Sequence, residues 1–316
     1  MTHVTSDEIE VSILIVTWNS GPWIEECLAS ISSGGEDASL EILLHDNGSS
    51  DDTLERVRQA GGDFAVTGGD ENRGFAGGIN EMLARARGKF VLLMNPDCVV
   101  ERGSIGRLAG FLAKNPDLAG VVPLLIDEDG EPQRDFQFRR LPTLASLATE
   151  LLMFDEIAPD NPIVRRHRCR DLDLSEPVVI EQPAAAAMMI RRSVLVDRGG
   201  MDERFHPAWF EDVDLCRRLR DSGERLVLVP EARFVHAGGS SLSVLGLGAF
   251  QSIWYRNLMK YITKWSGPGE REIVRLMVIA GILLRMLGTV IFGVEWADRS
   301  TALRVWAGVL GETFDR

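Results

Sequence analysis

The chain has 316 residues, 45% of them hydrophobic and 26% charged, the balance of a globular protein and not of a disordered one. At about 150 residues per domain it holds about two domains, or one large α/β domain with extensions, and at this length roughly 75% of the unfolded surface is buried without disulfide or metal staples. Asp and Glu (47) outnumber Lys and Arg (34), and the formal net charge of −13 excludes broad nucleic-acid binding, since an acidic surface repels phosphate backbones; local basic clusters remain able to hold one phosphorylated ligand.

The first elements alternate. Residues 11–17 (VSILIVT) are a β-branched apolar run halted by Trp18-Asn19-Ser20-Gly21-Pro22, the pattern of a buried strand ended by a turn. Ile24, Cys27, Leu28 and Ile31 then recur at helical spacing over 22–32. A strand at 40–45, a polar loop DNGSSDD, a helix over 52–60, a strand near 63–67 and a helix near 77–86 follow. Next come a strand at 89–94 halted by Asn95-Pro96-Asp97, a helix near 104–113 and a strand near 118–123. Short strands alternating with helices predict an α/β fold with a mostly parallel sheet and helices on both faces. Ligands of such sheets sit outside the carboxyl ends of the strands. Polar clusters stand at three of those ends, Trp18-Asn19, Asp46-Asn47 and Asn95-Pro96-Asp97, which favours a nucleotide-type site.

The second half is less regular. Asp127-Glu128-Asp129-Gly130 between apolar segments predicts a hairpin within 124–142, and the polar stretch 155–177, with a basic run from Arg165 to Arg170, reads as a mobile loop. AAAAMMI (184–190) is read as a strand, 211–222 as a helix, 225–229 as a strand, 232–236 as a short separate segment, and the pattern from about 248 onward as helical. Cys27, Cys98, Cys169 and Cys216 form no CxxC pair, so they are read as buried free thiols of a reducing cytoplasm. The acidic start MTHVTSDEIE shows no apolar secretory signal.

Four constellations carry groups able to do chemistry. Gly48 to Asp52 are explained by a strand-to-helix turn with Asp51 as N-cap, but Asp46 at the strand end is left over, and a carboxylate there can accept from a nucleobase imide or a ribose hydroxyl. Asp97 is either a turn residue or an oxygen ligand of a hard divalent cation that takes its other ligands from water and phosphate. In FEDVDLCRRL (210–219), Val213, Cys216 and Leu219 share a helical face, and Asp214 is spaced to pair with Arg217 or Arg218. Glu211 and Asp212 suit a first-turn helix dipole, yet they follow His206-Pro207-Ala208-Trp209-Phe210, aromatics of the kind that desolvate a carboxylate and line sugar sites. His236, ahead of Gly238-Gly239, is a structural histidine, a metal ligand or a phosphate contact, with the glycines forming a loop able to close over a ligand. GFAGG (74–78) is not GxGxxG and no GxxxxGK[ST] occurs, so neither a nicotinamide dehydrogenase nor a P-loop kinase is supported.

Taken in order, VSILIVTWN (11–19), DNGSSDDT (46–53), ENRGFAGGIN (71–80), NPD (95–97), RR (191–192), FEDVDLCRRL (210–219) and VHAGGSS (235–241) resemble a family 2 glycosyltransferase of the GT-A fold over about residues 10–265. Within that family they are most similar to bacterial rhamnosyltransferases that use dTDP-L-rhamnose, including those acting on polyprenyl-diphosphate-linked N-acetylglucosamine. The resemblance implies a Rossmann-like, mixed but mostly parallel sheet. It implies a tail at 1–10, a catalytic domain at 11–245 with nucleotide half 11–123 and acceptor half 124–245, and a C-terminal helical region at 246–316.

The same resemblance assigns roles. Thr17, Trp18, Asn19, Asp46, Asn72, Arg73, Gly74 and Asn95 surround the nucleotide of a nucleotide-diphospho-sugar donor. Asp97, in the place of the family's DxD motif, and His236 hold Mg²⁺ or Mn²⁺. Asp212 is the general base with Glu211 beside it, and Trp209 and Phe210 meet the sugar or the acceptor, a saccharide or a polyprenyl-diphosphate-linked one. Asn95 stands where the first DxD acid would, leaving one metal carboxylate on this side. AAAAMMI replaces a stretch often Gly-rich or Trp-containing in relatives, which bears on acceptor specificity. The implied chemistry is inverting: a cation, helped by Arg73, meets the charge growing on the leaving diphosphate, and one base serves one displacement. Two rivals share the pattern: a transferase of galactofuranose or N-acetylglucosamine from a UDP donor, and a catalytically inactive nucleotide-sugar-binding scaffold, against which the intact Asp46, Asp97 and Asp212 weigh.

Residues 272–294 are strongly apolar, but Arg285 splits them into runs shorter than the ~20 residues of a spanning helix. On a helical wheel Arg271, Arg275 and Arg285 fall within an arc of about 80°. That pattern predicts an amphipathic helix whose basic stripe meets the cytoplasmic face of a membrane. The alternatives are packing against the catalytic domain and a homodimer contact.

Overall fold

The computed structural model describes residues 9–35, 38–238, 245–294 and 297–314; most of the tail at 1–10, and Gly239, Ser240 and Ser241 of the expected closing loop, lie outside the described residues. The first half runs β1 (Val11–Thr17), α1 (Gly21–Gly34), β2 (Leu40–Asn47), α2 (Thr53–Ala60), β3 (Phe64–Gly69), α3 (Gly74–Leu83), β4 (Phe90–Met94), β5 (Cys98–Val100), α4 (Ser104–Lys114) and β6 (Gly120–Ile126). Short elements follow: α5 (Arg134–Gln137), β7 (Phe138–Arg139), α6 (Leu144–Leu151), α7 (Phe154–Ile157), α8 (Pro162–His167), β8 (Val178–Ile180) and β9 (Gln182–Pro183). Then come β10 (Ala187–Arg191), α9 (Arg192–Asp197), α10 (Glu211–Asp221), β11 (Leu226–His236), α11 (Leu247–Trp265), α12 (Pro268–Phe292) and α13 (Arg299–Phe314).

Among the described residues, nine strands form one sheet in the order β3-β2-β1-β4-β10-β6-β11-β5, with β8 also on β11. β3, β2, β1 and β4 pair in parallel, as do β6 and β11, whereas β10 lies antiparallel between β4 and β6. All seven residues of β1 are buried, because helices cover both faces of the sheet. Its alternate side chains part accordingly. Leu14 and Val16 enter one core with Ile79, Met82 and Leu215, while Ile13 and Ile15 enter the other with Ile24, Leu28 and Leu108. A third core joins α6, α11, α12 and α13 around Phe205, Phe210 and Tyr261.

Several expectations change. The helix expected near 77–86 begins at Gly74. The chain does reverse at Asp127–Gly130, where Asp127 N donates to Glu131 O at 2.9 Å and Ile126 bridges Pro132 antiparallel, but this short hairpin does not extend into a returning strand. The helical turn α5 replaces it, and the Gln137 side chain stands in for a neighbouring strand, accepting from Leu125 N at 2.9 Å and donating to Pro123 O at 2.6 Å. The stretch 155–177 is not a bare loop. Asn161 Oδ1 accepts from Ile163 N and Val164 N at 3.0 Å to cap α8, and Arg168 and Arg170 pair with Asp155 and Asp135. Segments 225–229 and 232–236 are one strand, with Pro230 inside a bulge between Val229 and Arg233 that leaves the ladder around it intact.

The basic stripe of α12 also resolves differently. Arg285 turns inward and donates to Gly281 O and to the carbonyls at the end of α6. The solvent face lies on the opposite side of the wheel and is apolar: Leu276, Leu283 and Leu287 are each more than half exposed, with Val290 and Ile291 beside them. Val274, Val278 and Ile282 are buried against the third core.

Candidate active site

A cavity of about 440 Å³ opens at the carboxyl edge of β1 and β4. It gathers Trp18, Asn72, Asn95, Asp97, Trp209, Glu211, Asp212 and His236 of the residues singled out in the sequence, together with Trp23, Phe75, Phe136 and Phe250.

On the nucleotide side, Thr17 Oγ1 donates to Asp46 Oδ1 at 3.0 Å. The buried Asp46 carboxylate also accepts from Ser49 N at 2.9 Å and Ser49 Oγ at 2.6 Å. Asn19, at φ 50°, accepts Ser50 N at 2.8 Å through Oδ1 and donates its own N–H to Ser49 Oγ at 2.9 Å. These residues therefore lock the β1 and β2 loops to each other. Asn47 Oδ1 accepts from Arg73 N at 3.0 Å, and Asn72 Oδ1 from Gly74 N at 2.8 Å, which sets the start of α3. Asp51, one residue before the cap position expected for it to fill, accepts from Gly21 N and Thr53 N instead, tying α1 to α2.

Gly74 has φ +74°, and a Cβ there would come within 2.7 Å of Pro207 O; the missing side chain lets Phe75 N reach that same oxygen at 2.7 Å. The 206–209 loop is thereby pressed against α3. From the other side the buried Asn257 of α11 donates to Ala208 O at 2.8 Å and Trp209 O at 3.2 Å. Trp209 and Phe210 are both left-handed, with φ 71° and 75°, and they part company: Trp209 lines the cavity edge-on to Phe250 at 4.6 Å, while Phe210 leaves it to pack on Trp254 and Tyr261. Arg73 also points elsewhere than the cavity, held by Glu81 at 2.8 Å on the outer face of α3.

Past that loop, Glu211 and Asp212 open α10, where its dipole favours negative charge. Burial pushes both carboxyl groups upward, Glu211 further because Asp212 repels its charge; the amides of Val213 and Ala185 pull Asp212 back down. Asp212 Oδ1 accepts Val213 N at 2.7 Å, whereas Glu211 Oε2 is buried with no hydrogen-bond partner among the described residues.

Asp97 and His236 meet in the same cavity, with Asp97 Oδ1 3.6 Å from His236 Nε2. Ala237 N donates to Asp97 O at 3.1 Å, His236 Nδ1 lies 2.8 Å from Gln133 Oε1, and the Phe136 ring stacks on the imidazole at 4.7 Å. Burial lowers the His236 pKa, with the Asp97 charge opposing. Asp97, Cys98 and His236 place possible ligand atoms within 4.8 Å of one another. Cys98 is unsuited to the role: its thiol points at Ala186 O, 3.4 Å away, and burial raises its pKa well above normal. Asp97 and His236 are left as an oxygen and a nitrogen donor beside an open cavity, a set that fits Mg²⁺ or Mn²⁺ when phosphate oxygens complete the shell.

Trp23, Phe75, Phe136, Phe250, Gln133 and Asn257 were not picked out from the sequence. Only Phe75, inside the GFAGG segment, and Trp23, next to the first strand's turn, stood near a recognised motif.

The family model of Glycosyl transferase family 2 matches residues 12–195. Over 235 residues the chain is 29% identical to N-acetylglucosaminyl-diphospho-decaprenol L-rhamnosyltransferase of Mycobacterium tuberculosis (strain CDC 1551 / Oshkosh), covering 71% of this chain and 75% of that protein. It is 23% identical to rhamnosyltransferase WbbL of Escherichia coli (strain K12), covering 72% and 83%. The structure of mannosyltransferase PcManGT from Pyrobaculum calidifontis in complex with GDP-Man and Mn²⁺ aligns with a TM-score of 0.54 at 15% identity, over 97% of this chain and 86% of that one. At that identity the likeness is one of fold, the GT-A fold expected from the sequence.

Proposed function

The chain belongs to glycosyl transferase family 2 and is a glycosyltransferase, and from that premise we propose that it moves L-rhamnose from dTDP-L-rhamnose to a saccharide or polyprenyl-diphosphate-linked acceptor with inversion, in cell-envelope polysaccharide synthesis. One observation carries the reading: the Asp97–His236 pair and the Asp212 carboxylate line the same cavity. Asp97 and His236 would hold a divalent cation, which would supply positive charge for the leaving diphosphate. Asp212 accepts the proton of the acceptor hydroxyl as its oxygen bonds to the anomeric carbon and the bond to the diphosphate oxygen breaks. Glu211 lines the same cavity beside Asp212 and hydrogen-bonds the bound sugar. A single displacement inverts the anomeric carbon. The apolar wall of Ala184, Ala185 and Ala186 suits the methyl-bearing face of a 6-deoxyhexose, and Trp209 with Phe250 forms a rim for a sugar ring. The Thr17–Asp46–Asn19 lock shapes the base pocket on the nucleotide half (11–123), and the acceptor enters from 124–245.

The acceptor of the mycobacterial relative is named as decaprenol-linked. The reading therefore includes peripheral docking on the cytoplasmic face of a membrane through the exposed apolar face of α12, within the 246–316 helical region. α12 is long and apolar enough to cross a membrane, but its other face is packed on the third core, which favours an interfacial position.

A thermal-shift panel of dTDP, UDP and GDP with Mg²⁺ or Mn²⁺ tests the donor, because specific binding stabilises the fold by mass action. The largest shift is expected for dTDP with metal. A larger shift with UDP would move the reading to a UDP-sugar donor.

A further inference from the structure

Gln133 lies before α5, outside every motif discussed above, and it grips His236 twice. Its Nε2 donates to His236 O at 2.7 Å, and its Oε1 lies 2.8 Å from His236 Nδ1. The first bond fixes the amide's orientation, because a main-chain carbonyl only accepts and the group facing it must be the NH₂. The other end is then the amide oxygen, also an acceptor only, so the proton between Gln133 and the imidazole resides on Nδ1. Nε2 is left as the lone-pair nitrogen, and it is the nitrogen that faces Asp97. Gln133 is itself anchored at the end of β6, its N–H donating to Leu125 O at 2.9 Å, and Phe136, three residues on, stacks against the ring at an interplanar angle of 22°.

We propose that Gln133 is the positioning residue of the metal site, fixing His236 in the Nδ1–H tautomer and thereby aiming the Nε2 lone pair at the place where a divalent cation meets Asp97. This rests on the metal-dependent reading above. A ligand histidine whose other nitrogen is held by a fixed acceptor keeps its tautomer and ring angle when the ion leaves, and losing such a partner typically weakens metal binding about 10- to 100-fold.

Two measurements on the full chain test it. In ¹⁵N-histidine NMR of the metal-free protein, with the His236 signals identified by their loss in His236→Ala, Nδ1 is expected to be the protonated nitrogen and Nε2 the bare one; the opposite pattern overturns the proposal. Mn²⁺ binding in the presence of dTDP, followed by electron paramagnetic resonance, is expected to weaken about 10- to 100-fold in Gln133→Leu. Metal-free dTDP affinity should stay unchanged. In a His236→Ala background, Gln133→Leu is expected to cost nothing further. Wild-type Mn²⁺ affinity in Gln133→Leu, or an equal loss in both backgrounds, overturns the Gln133 assignment while leaving the metal reading standing. A wild-type chain that binds no Mn²⁺ with dTDP, though its tautomer is as stated, overturns the metal reading itself and with it the role given to Gln133.

Discussion

Arg285 of α12 donates to the main-chain oxygen of Leu151 at 2.8 Å, so a charge from a distant C-terminal helix caps the last turn of α6. It reaches Glu150 O at 3.2 Å as well, leaving the opposite side of the same helix for apolar residues that face solvent. Replacing Arg285 with Leu strips those carbonyls of their donor and should cost about 1–3 kcal/mol of stability. Urea unfolding of the variant measures it, and a midpoint equal to wild type would show that solvent satisfies those oxygens as well.

The membrane reading now rests on the apolar face. Leu283→Asp combined with Leu287→Asp alters two half-exposed side chains and should leave the melting temperature nearly unchanged. Flotation with phosphatidylglycerol vesicles should be lost, along with turnover of a lipid-linked acceptor. If wild type does not float, the membrane role is wrong. If it is a dimer that these substitutions split, the face belongs to a second copy of the chain.

Asp97→Ala should abolish turnover and remove the gain that Mg²⁺ or Mn²⁺ gives to nucleotide affinity. Calorimetry of dTDP binding with and without metal reads this directly. A metal-dependent gain that survives in the variant would reassign the ligand.

Asp212→Asn keeps the size of the side chain and loses its basicity, so turnover should fall roughly 10²-fold or more with dTDP affinity unchanged. Burial raises the carboxyl pair, so the wild-type rate should decline as the pH falls through a value above the ordinary carboxylate range. Glu211→Gln removes one of two coupled charges and should move that limb to lower pH. An acid limb unmoved by Glu211→Gln would separate the two groups, and an active Asp212→Asn beside an inactive Glu211→Gln would exchange their roles.

His167 gives a pH signature in stability rather than rate. Burial, with Arg139 and Arg168 nearby, pushes its folded pKa down from 6.5 to about 4. Between those values the unfolded chain takes up a proton that the folded chain refuses. Its contribution is therefore fully present above pH 6.5 and is lost as the pH falls, by at most about 1.4 kcal/mol per pH unit. His167→Gln should flatten that part of the stability profile in urea melts. Parallel wild-type and variant curves from neutral to mildly acidic pH would refute the assignment.

The parallel half of the fold was legible because burial on both sheet faces writes itself as unbroken apolar strands, and the polar groups at their ends marked the site's edge. The rest depended on contacts between distant segments. Nothing local shows that Gln137 would replace a strand, that Pro230 would sit in a bulge, or that Arg285 would turn inward; each is settled by a carbonyl or amide that only the folded chain brings near. Trp209 and Phe210 read alike as neighbouring aromatics, and two left-handed residues in succession send one to the cavity and the other to the C-terminal core. Gln133 carried no signal, since a lone glutamine matters here only through the histidine it meets 103 positions later.

The place of β10 has a consequence for how the protein is made. Residues 187–191 fill the gap between β4 and β6, which leave the ribosome far earlier. Until they arrive, two strands hold open hydrogen-bonding edges, and no early intermediate has the finished sheet. Folding during synthesis must therefore wait for well over half of the chain, and the nascent first half is a natural client for chaperones that shield exposed β edges. A fragment ending after β6 should be insoluble on its own and should become soluble when the rest of the chain is supplied in trans.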